Sequence, residues 1–550
     1  MFTLVASTST NLTMNILGLH SGVTANQHDP AAALIIDGTI VGVYEEERFC
    51  RVKSPRGTLP IRSTSNLLKD NNLTMQDIDL VVHSGVTFGD LLPRLERFLR
   101  HYFGHVPKIE MVNHQTAHLA SAYYCSGYDE AMCISWDGYG DGLSNQFGVG
   151  KAGKLNILDS YPADQSIGQF YTSITSFLGF KPDEDEYKVM GLASFGTPEY
   201  DLSSLARPSD NGYIVNREIF EASPKIMCSF EPAYNHVHTQ LLGEHRTIVE
   251  PITQRHMNIA ASAQKALEDC LVSLVTKLHK DTGLRKLCIA GGVALNCSAN
   301  KVIYELPFID ELFVQPASSD RGLALGCAIL GAVEEGYTDF TLEHAYYGPS
   351  YSNDELEKSL QLVGIPYTEV AYPTEEAAKR LAQGQILGWM QGRSEFGPRA
   401  LGHRSILADP SSPTMKDKIN ARIKFREEFR PFAPAVMAEE AKNLFEMNQL
   451  SPFMTITFNV KEEWQKKIPA VNHVNNTARV QTVAKMDNSN FHQLISDFNN
   501  ITGVPTVLNT SYNVMGQPIV ETAKDALTTF ASSGMDATFI GPFLVNKDKL

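Results

Sequence analysis

Two stretches of this chain carry the same local grammar, and that repeat limits the folds open to it more than any other feature. Residues 15–22, 31–36 and 39–45 read as three strands, with Asp37-Gly38 as the turn between the last two. An Asp-Gly pair between apolar runs marks a tight hairpin, because both turn residues must take positive φ. The pattern returns where residues 131–136 lead through Asp137-Gly138-Tyr139-Gly140-Asp141-Gly142 into 144–150, turn at Gly153 and leave as 155–161. Between the copies lie a basic loop (Arg48, Arg51, Lys53, Arg56), a helix over 61–71, a strand at 80–84 and a helix over 91–102. Two such meanders, each followed by helices, predict a duplicated α/β architecture with a cleft between the copies.

Composition narrows what the cleft can serve. The chain has 550 residues, 43% of them hydrophobic, so it has the material for a large core. Lys plus Arg is 47 against 62 Asp plus Glu, a net charge of -15. That balance excludes wrapping a nucleic-acid backbone and leaves room for a local cationic pocket. The longest apolar runs, 31–36 and 386–390, fall far short of the ~20 residues that span a bilayer. Residues 1–14 carry neither a basic segment nor a continuous apolar one, and read as an irregular start before the first strand. The eight cysteines (Cys50, Cys125, Cys133, Cys228, Cys270, Cys288, Cys297, Cys327) form no C-x-x-C pair, and read as reduced core residues of a cytoplasmic protein.

Gly-rich hairpins facing one another across a cleft are the logic of the actin, hexokinase and acetate kinase fold, which holds a nucleotide there. A strand at 286–289 ends in Gly291-Gly292-Val293-Ala294-Leu295-Asn296, where paired glycines let backbone N–H groups approach a phosphate or ribose. Ser318-Ser319-Asp320-Arg321-Gly322 then opens a small-residue helix over 323–333. His114 and His118 share one face of a helix, so two imidazoles there can meet one ion. Asp137 and Asp320 sit beside glycines at strand ends, where they complete a His₂Asp₂ set suited to Fe²⁺, Mn²⁺ or Zn²⁺ rather than a closed structural zinc. His101 and His105 have the same spacing but straddle Gly104 at a helix end, and read as surface or capping residues.

Past residues 349–353, which read as a linker, a helix over 375–383 and a strand at 386–390 open a second α/β unit. Arg393, Arg399, Arg404, Arg422, Lys424, Arg426, Arg430 and Arg479 are interleaved with Gly, Pro and Phe in short loops. That placement points to a pocket for anions, since guanidinium forks and ammonium charges hold phosphates.

Several of these motifs are long enough to carry a family. His28-Asp29, Glu45-Glu46-Glu47-Arg48, His114-x-x-x-His118, the 186–193 run, 291–296, 395–407 and Lys424-Phe425-Arg426 through Arg430-Pro431-Phe432-Ala433-Pro434 together resemble the carbamoyltransferases of the nodulation-factor, cephamycin and tobramycin pathways. The resemblance implies an actin-like domain over 1–345, similar to the tRNA-threonylcarbamoyl transferases, and a YrdC-like twisted α/β domain over 346–550. It implies ATP with Mg²⁺, carbamoyl phosphate, a divalent ion (Fe²⁺ first, Mn²⁺ or Zn²⁺ as alternatives) and a small hydroxylated acceptor; a homodimer is compatible with it. The C-terminal domain would form carbamoyl-adenylate, and the N-terminal domain would pass the carbamoyl group to the acceptor.

On that reading His28, Lys53, Arg399, His403, Lys424 and Arg430 form the catalytic set, with His28 as general base. Asp137, Gly138, Gly291, Gly292, Asn296, Arg426, Arg479, Ser511 and Asn513 hold the nucleotide, and His114, His118, Asp137 and Asp320 hold the metal. Tyr187 and Lys188 either shape the acceptor pocket or pack it, residues 183–186 form a solvated loop, and 197–250 help select the acceptor. Two rival functions are a tRNA-modifying threonylcarbamoyl system and a non-catalytic ATP-binding regulator.

Overall fold

The computed structural model describes residues 13–21, 27–222 and 232–549, side chains at 220 and 222 excepted. Residues 1–12, Gly22 and Cys228 therefore lie outside the described residues. Its first sheet uses β1 (Asn15–His20), β2 (Ala31–Ile36), β3 (Thr39–Glu45), β4 (Leu80–Ser84) and β5 (Lys108–Val112). The next is built from β6 (Glu130–Gly140), β7 (Leu143–Lys151) and β8 (Lys154–Pro162); a two-stranded ribbon, β9 (Ala206–Ser209) and β10 (Gly212–Val215), precedes its last members, β11 (Lys286–Ala290) and β12 (Glu311–Val314).

The strand orders are β3-β2-β1-β4-β5 and β8-β7-β6-β11-β12. In each sheet the first three strands form an antiparallel meander, and the last two run parallel to its first member. The two sheets thus share one topology, and the predicted duplication is present as the doubled sheet of an actin-like fold. The hairpins close as the sequence requires: Asp37 and Gly38 have φ of 45° and 76°, Asp141 and Gly142 52° and 78°. The second meander differs from expectation in one respect. β6 continues through Asp137 to Gly140 with a register shift, so Asp137 projects from a strand rather than a turn.

Two helices fill the space between the sheets. His114–Tyr123 packs on β6 and β11, and Leu323–Glu334 packs on β1, β2 and β4. They cross one another very closely, because Gly326 presents no side chain to the Ala117 carbonyl; a β-carbon there would lie 2.0 Å from that oxygen. Leu323–Glu334 meets β1 in the same way, with Gly18 facing the Ala324 carbonyl.

The rest of the chain forms a mixed eight-stranded sheet from β13 (Thr368–Glu369), β14 (Leu387–Met390), β15 (Arg404–Ala408) and β16 (Ala433–Met437), followed, after a small sheet of β17 (Phe445–Glu446), β18 (Thr457–Val460) and β19 (Thr477–Arg479), by β20 (Gln481–Val483), β21 (Thr506–Ser511), β22 (Ala537–Ile540) and β23 (Phe543–Asn546). The segment read as a linker leads directly into a helix, Asn353–Val363, which Ser352 caps through Glu355 N–H. The apolar core is continuous across the junction: Phe396, Leu401, Phe453 and Met454 pack with residues of the two N-terminal sheets. Among the described residues no helix is long and apolar enough to cross a membrane, and the seven cysteines described are all free.

The helix crossing supplies a test. Gly326→Ala would drive a methyl into the Ala117 carbonyl, and overpacking of this kind costs about 1–3 kcal/mol. We expect a lower unfolding midpoint in denaturant at unchanged slope.

Candidate active site

The helix crossing brings the four residues of the His₂Asp₂ set together. His114 and His118 lie in the first turns of one helix, Asp320 immediately precedes the other, and Asp137 extends from β6 toward both. One ligand atom from each lies within 4.8 Å of all the others. His114 Nε2 is 3.1 Å from Asp137 Oδ2 and 3.6 Å from Asp320 Oδ1; His118 Nε2 is 3.7 Å from Asp320 Oδ1. Backbone groups orient the set: Gly292 N–H donates to Asp137 Oδ1 at 3.0 Å, and His114 N–H to Asp141 Oδ2 at 2.8 Å.

These residues fit a divalent ion. The His118 side chain is wholly buried, yet neither ring nitrogen has a hydrogen-bond partner, an arrangement that costs free energy unless another ligand is satisfied there. The two carboxylates are held near one another, and burial of each is outweighed by the adjacent imidazoles, which keep both below the usual carboxylate range. Burial disfavours a charged His114, but Asp320 and Asp137 overcome it and raise its pKa to about 9. His118, with burial dominant, is pushed down.

His28 stands beside this cluster, with Nε2 3.9 Å from Asp320 Oδ2 and Nδ1 3.3 Å from Asp29 Oδ2. Burial opposes its protonation, but Asp320 and Asp29 prevail and raise its pKa to about 9. An imidazole that acts as a base must first be neutral, and a cation at Asp320 would offset the charge that now keeps His28 protonated. Arg321 ties the region together by donating to Asp29 at 3.1 Å, Ser54 Oγ at 2.7 Å and Glu47 at 3.2 Å.

A single cavity of about 810 Å³ runs from this cluster to the C-terminal part of the chain. Arg399, Lys424, Arg426, Arg430 and Arg479 line its far end, and Lys53 reaches it from the basic loop. Arg430 lies over the Tyr187 ring at 4.4 Å, and Arg426 over Phe432 at 4.4 Å. Lys424 Nζ donates to Asn513 Oδ1 at 2.9 Å, and Ser511 Oγ donates to the same oxygen at 2.7 Å, so the Lys-x-Arg and Ser-x-Asn motifs form one unit. These cations crowd one another. Burial and then Arg479 lower Arg399 to about 9; burial and then Arg430 lower Arg426 to about 9; burial, Arg426 and Arg430 push Lys424 well below its ordinary value. Among the described residues Arg399 has no hydrogen bond or ion pair, and the Arg479 Nε proton is buried without an acceptor. Such an array is arranged for an anion.

The structure does not bring every expected residue here. His403 is absent from the cavity wall; its Nδ1 bonds the Arg393 carbonyl and its ring packs on Tyr346 at 3.9 Å, while burial lowers its pKa to about 4. Arg404 is fully buried against Glu521 and backbone carbonyls, Arg393 bonds the Val41 and Tyr347 carbonyls, and Arg422 pairs with Asp536 at 3.1 Å. Gly291 serves packing, since a β-carbon there would lie 2.2 Å from the Trp136 carbonyl, whereas Gly138 and Gly292 line the cavity. Asn296 caps the helix Cys297–Tyr304 and pairs with Gln264 while facing the cavity.

The 183–186 run is not a solvated loop. Asp183 and Glu186 line the cavity, and burial and then Asp183 raise Glu186 to about 8. Sequence reasoning also left Asp29, Glu47 and Arg321 without roles, although all three sit in motifs named above, and it missed His20 and Lys416. His20 meets Asp320, which is distant in the chain. Cys297, read as a core residue, is buried yet forms part of the cavity wall.

Because His114 carries a proton up to about pH 9 and must shed it to ligate, an ion has to displace that proton at neutral pH. Apparent affinity for Mn²⁺ should rise by about tenfold per pH unit between pH 6 and 8. Isothermal titration in buffers of different ionisation enthalpy should show proton release on binding.

Comparison with known proteins agrees with this arrangement. Two family models match the chain, Carbamoyltransferase N-terminus over residues 92–329 and Carbamoyltransferase C-terminus over residues 378–547. The nodulation protein NolNO of Sinorhizobium fredii is 36% identical over 94% of this chain and 79% of its own length. NolO of Bradyrhizobium diazoefficiens is 38% identical over 79% of each. Nodulation protein U of Rhizobium tropici is 28% identical over 89% of this chain and 90% of its own. Relatives 36% and 38% identical, each matched over 79% of its own length, and two matching family models give one conclusion: the chain belongs to the carbamoyltransferase family and is a carbamoyltransferase.

Proposed function

We propose that the chain is an ATP-dependent O-carbamoyltransferase that works in two half-reactions, with the division of labour near residue 345. In the C-terminal part, water would cleave carbamoyl phosphate to carbamate and phosphate. The carbamate oxygen would then attack the α-phosphorus of ATP, giving carbamoyl-adenylate and pyrophosphate. The observation that carries this reading is the single cavity that joins a crowded cation cluster to the His₂Asp₂ set.

Arg399, Arg426, Arg430, Arg479 and Lys424 would balance the charge that accumulates as phosphates are displaced, with Mg²⁺ accompanying ATP. Ser511 and Asn513 hold the Lys424 ammonium in place for that task. At the other end, an acceptor hydroxyl would attack the carbamoyl carbon and AMP would leave. A divalent ion held by His114, His118, Asp137 and Asp320 would supply a Lewis acid there. His28, once neutral, would take the hydroxyl proton on Nε2, and Asp29 at Nδ1 would favour the imidazolium formed. Lys53, between the two ends, would steady the transferred group's oxygens. Tyr187 and Lys188 shape the wall between them: Tyr187 lies under Arg430, and Lys188 pairs with Glu427 at 3.0 Å.

The test is pyrophosphate release without acceptor, with and without carbamoyl phosphate. Release that depends on carbamoyl phosphate is expected; release indifferent to it would refute the adenylate. Arg399→Ala and Arg430→Ala should each lower that release at least a hundredfold, on the scale of losing one preorganised charge-stabilising group. His114→Ala should retain most of it and lose transfer. Equal loss of both activities in all three variants would refute the division of labour.

A further inference from the structure

His20, the last residue of β1, is 1% exposed and has no place in the functional reading so far. Its ring lies directly behind the proposed metal site. Nε2 is 3.1 Å from the His28 carbonyl oxygen and 3.4 Å from Asp320 Oδ2. Nδ1 is 3.2 Å from Ser84 Oγ, at the end of the neighbouring strand β4. The oxygens facing Nε2 are the His28 carbonyl, which can only accept, and a carboxylate oxygen. Nε2 therefore carries the proton, and in the neutral ring Nδ1 accepts from the Ser84 hydroxyl.

The geometry points to His20 as a positioning residue that serves both halves of the transfer chemistry from one N–H. Its donation to Oδ2 turns Asp320 so that the other oxygen, Oδ1, faces His114 Nε2 at 3.6 Å and His118 Nε2 at 3.7 Å. Its donation to the His28 carbonyl fixes the backbone that carries the proposed base. That backbone is also anchored on its far side, where Asp29 N–H bonds the Pro55 carbonyl and Gly57 N–H the Gln27 carbonyl. Ligand carboxylates depend on such outer partners, whose loss typically lowers metal affinity 10–100-fold. Ser84 extends the chain by one step, since its hydroxyl donates to Nδ1 and holds the ring in the orientation that aims Nε2 at the His28 and Asp320 oxygens.

This inference rests on the metal reading, and the experiment separates the two. Mn²⁺ titrated into the full chain is followed through the electron paramagnetic resonance signal of the free ion, for the unaltered protein, His20→Ala, His20→Gln and Ser84→Ala. Circular dichroism and the thermal midpoint in excess chelator establish that each variant is folded. The expected result is a dissociation constant raised 10–100-fold in His20→Ala, partly recovered in His20→Gln, whose amide can still donate, and raised a few-fold in Ser84→Ala. Unaltered affinity in a folded His20→Ala overturns the inference and leaves the metal site standing. Should His20→Ala not fold, unaltered affinity in both His20→Gln and Ser84→Ala overturns it instead. No Mn²⁺ binding by the unaltered protein overturns the metal reading, and this inference with it.

Discussion

The site depends on how closely two helices can pass. Where Gly326 meets the Ala117 carbonyl, the helices His114–Tyr123 and Leu323–Glu334 come together without an intervening side chain. One of them carries two imidazoles in its first turns, and the other begins just after Asp320. Each helix is itself fixed against a different copy of the repeated sheet. A duplicated fold thus becomes a chemical site because the two helices between its sheets are crowded together. The residues at the crossing are Gly and Ala, and the chemistry is displaced to the helix ends, where chains diverge and leave room.

The second constraint is the junction between the two parts of the chain. Arg48 pairs with Glu45 at 3.0 Å and donates to the Gly397 carbonyl at 2.7 Å, while Glu45 accepts from Gly397 N–H at 2.6 Å. Glu47 accepts from Arg321, beside Asp320, and from Ser54 N–H. Buried charges of this kind are costly unless each has a partner, and here the ion pairs lie within the N-terminal part while the Gly397 backbone supplies partners from across the boundary. The loop that presents Arg399 is therefore held by residues of the first meander through hydrogen bonds between Gly397 and a buried ion pair. Within the motif Glu45-Glu46-Glu47-Arg48, Glu45 and Arg48 are explained by this junction, whereas Glu46 accepts from Ser63 within the N-terminal part.

Much of this was legible in the chain itself, for definable reasons. Asp-Gly turns and period-two apolar runs are local signals, and they located both meanders. The His114–His118 spacing needs only one helix, and its meeting with Asp137 and Asp320 followed from glycines at strand ends. Other features are set by contacts remote in sequence. His403 and Arg404 lie in the same motif as Arg399, yet Tyr346 and Glu521 draw them into the core, and nothing in their spacing distinguishes them. Asp183 and Glu186 resemble any acidic surface run, and only the fold shows that they face a cavity. His20 looks like a polar residue ending a strand; its meaning comes from Asp320, three hundred positions later.

The crowded cations have a consequence beyond binding. Four of these cations, Arg399, Lys424, Arg426 and Arg479, have their ionisation suppressed by burial and by neighbouring positive charge, a strain the protein carries. On the proposed function, a polyphosphate entering beside them would relieve the repulsion and gain its own contacts, so occupancy and folding would reinforce each other. The cell's supply of nucleotide would then set how long each copy of the chain survives as well as how fast it works.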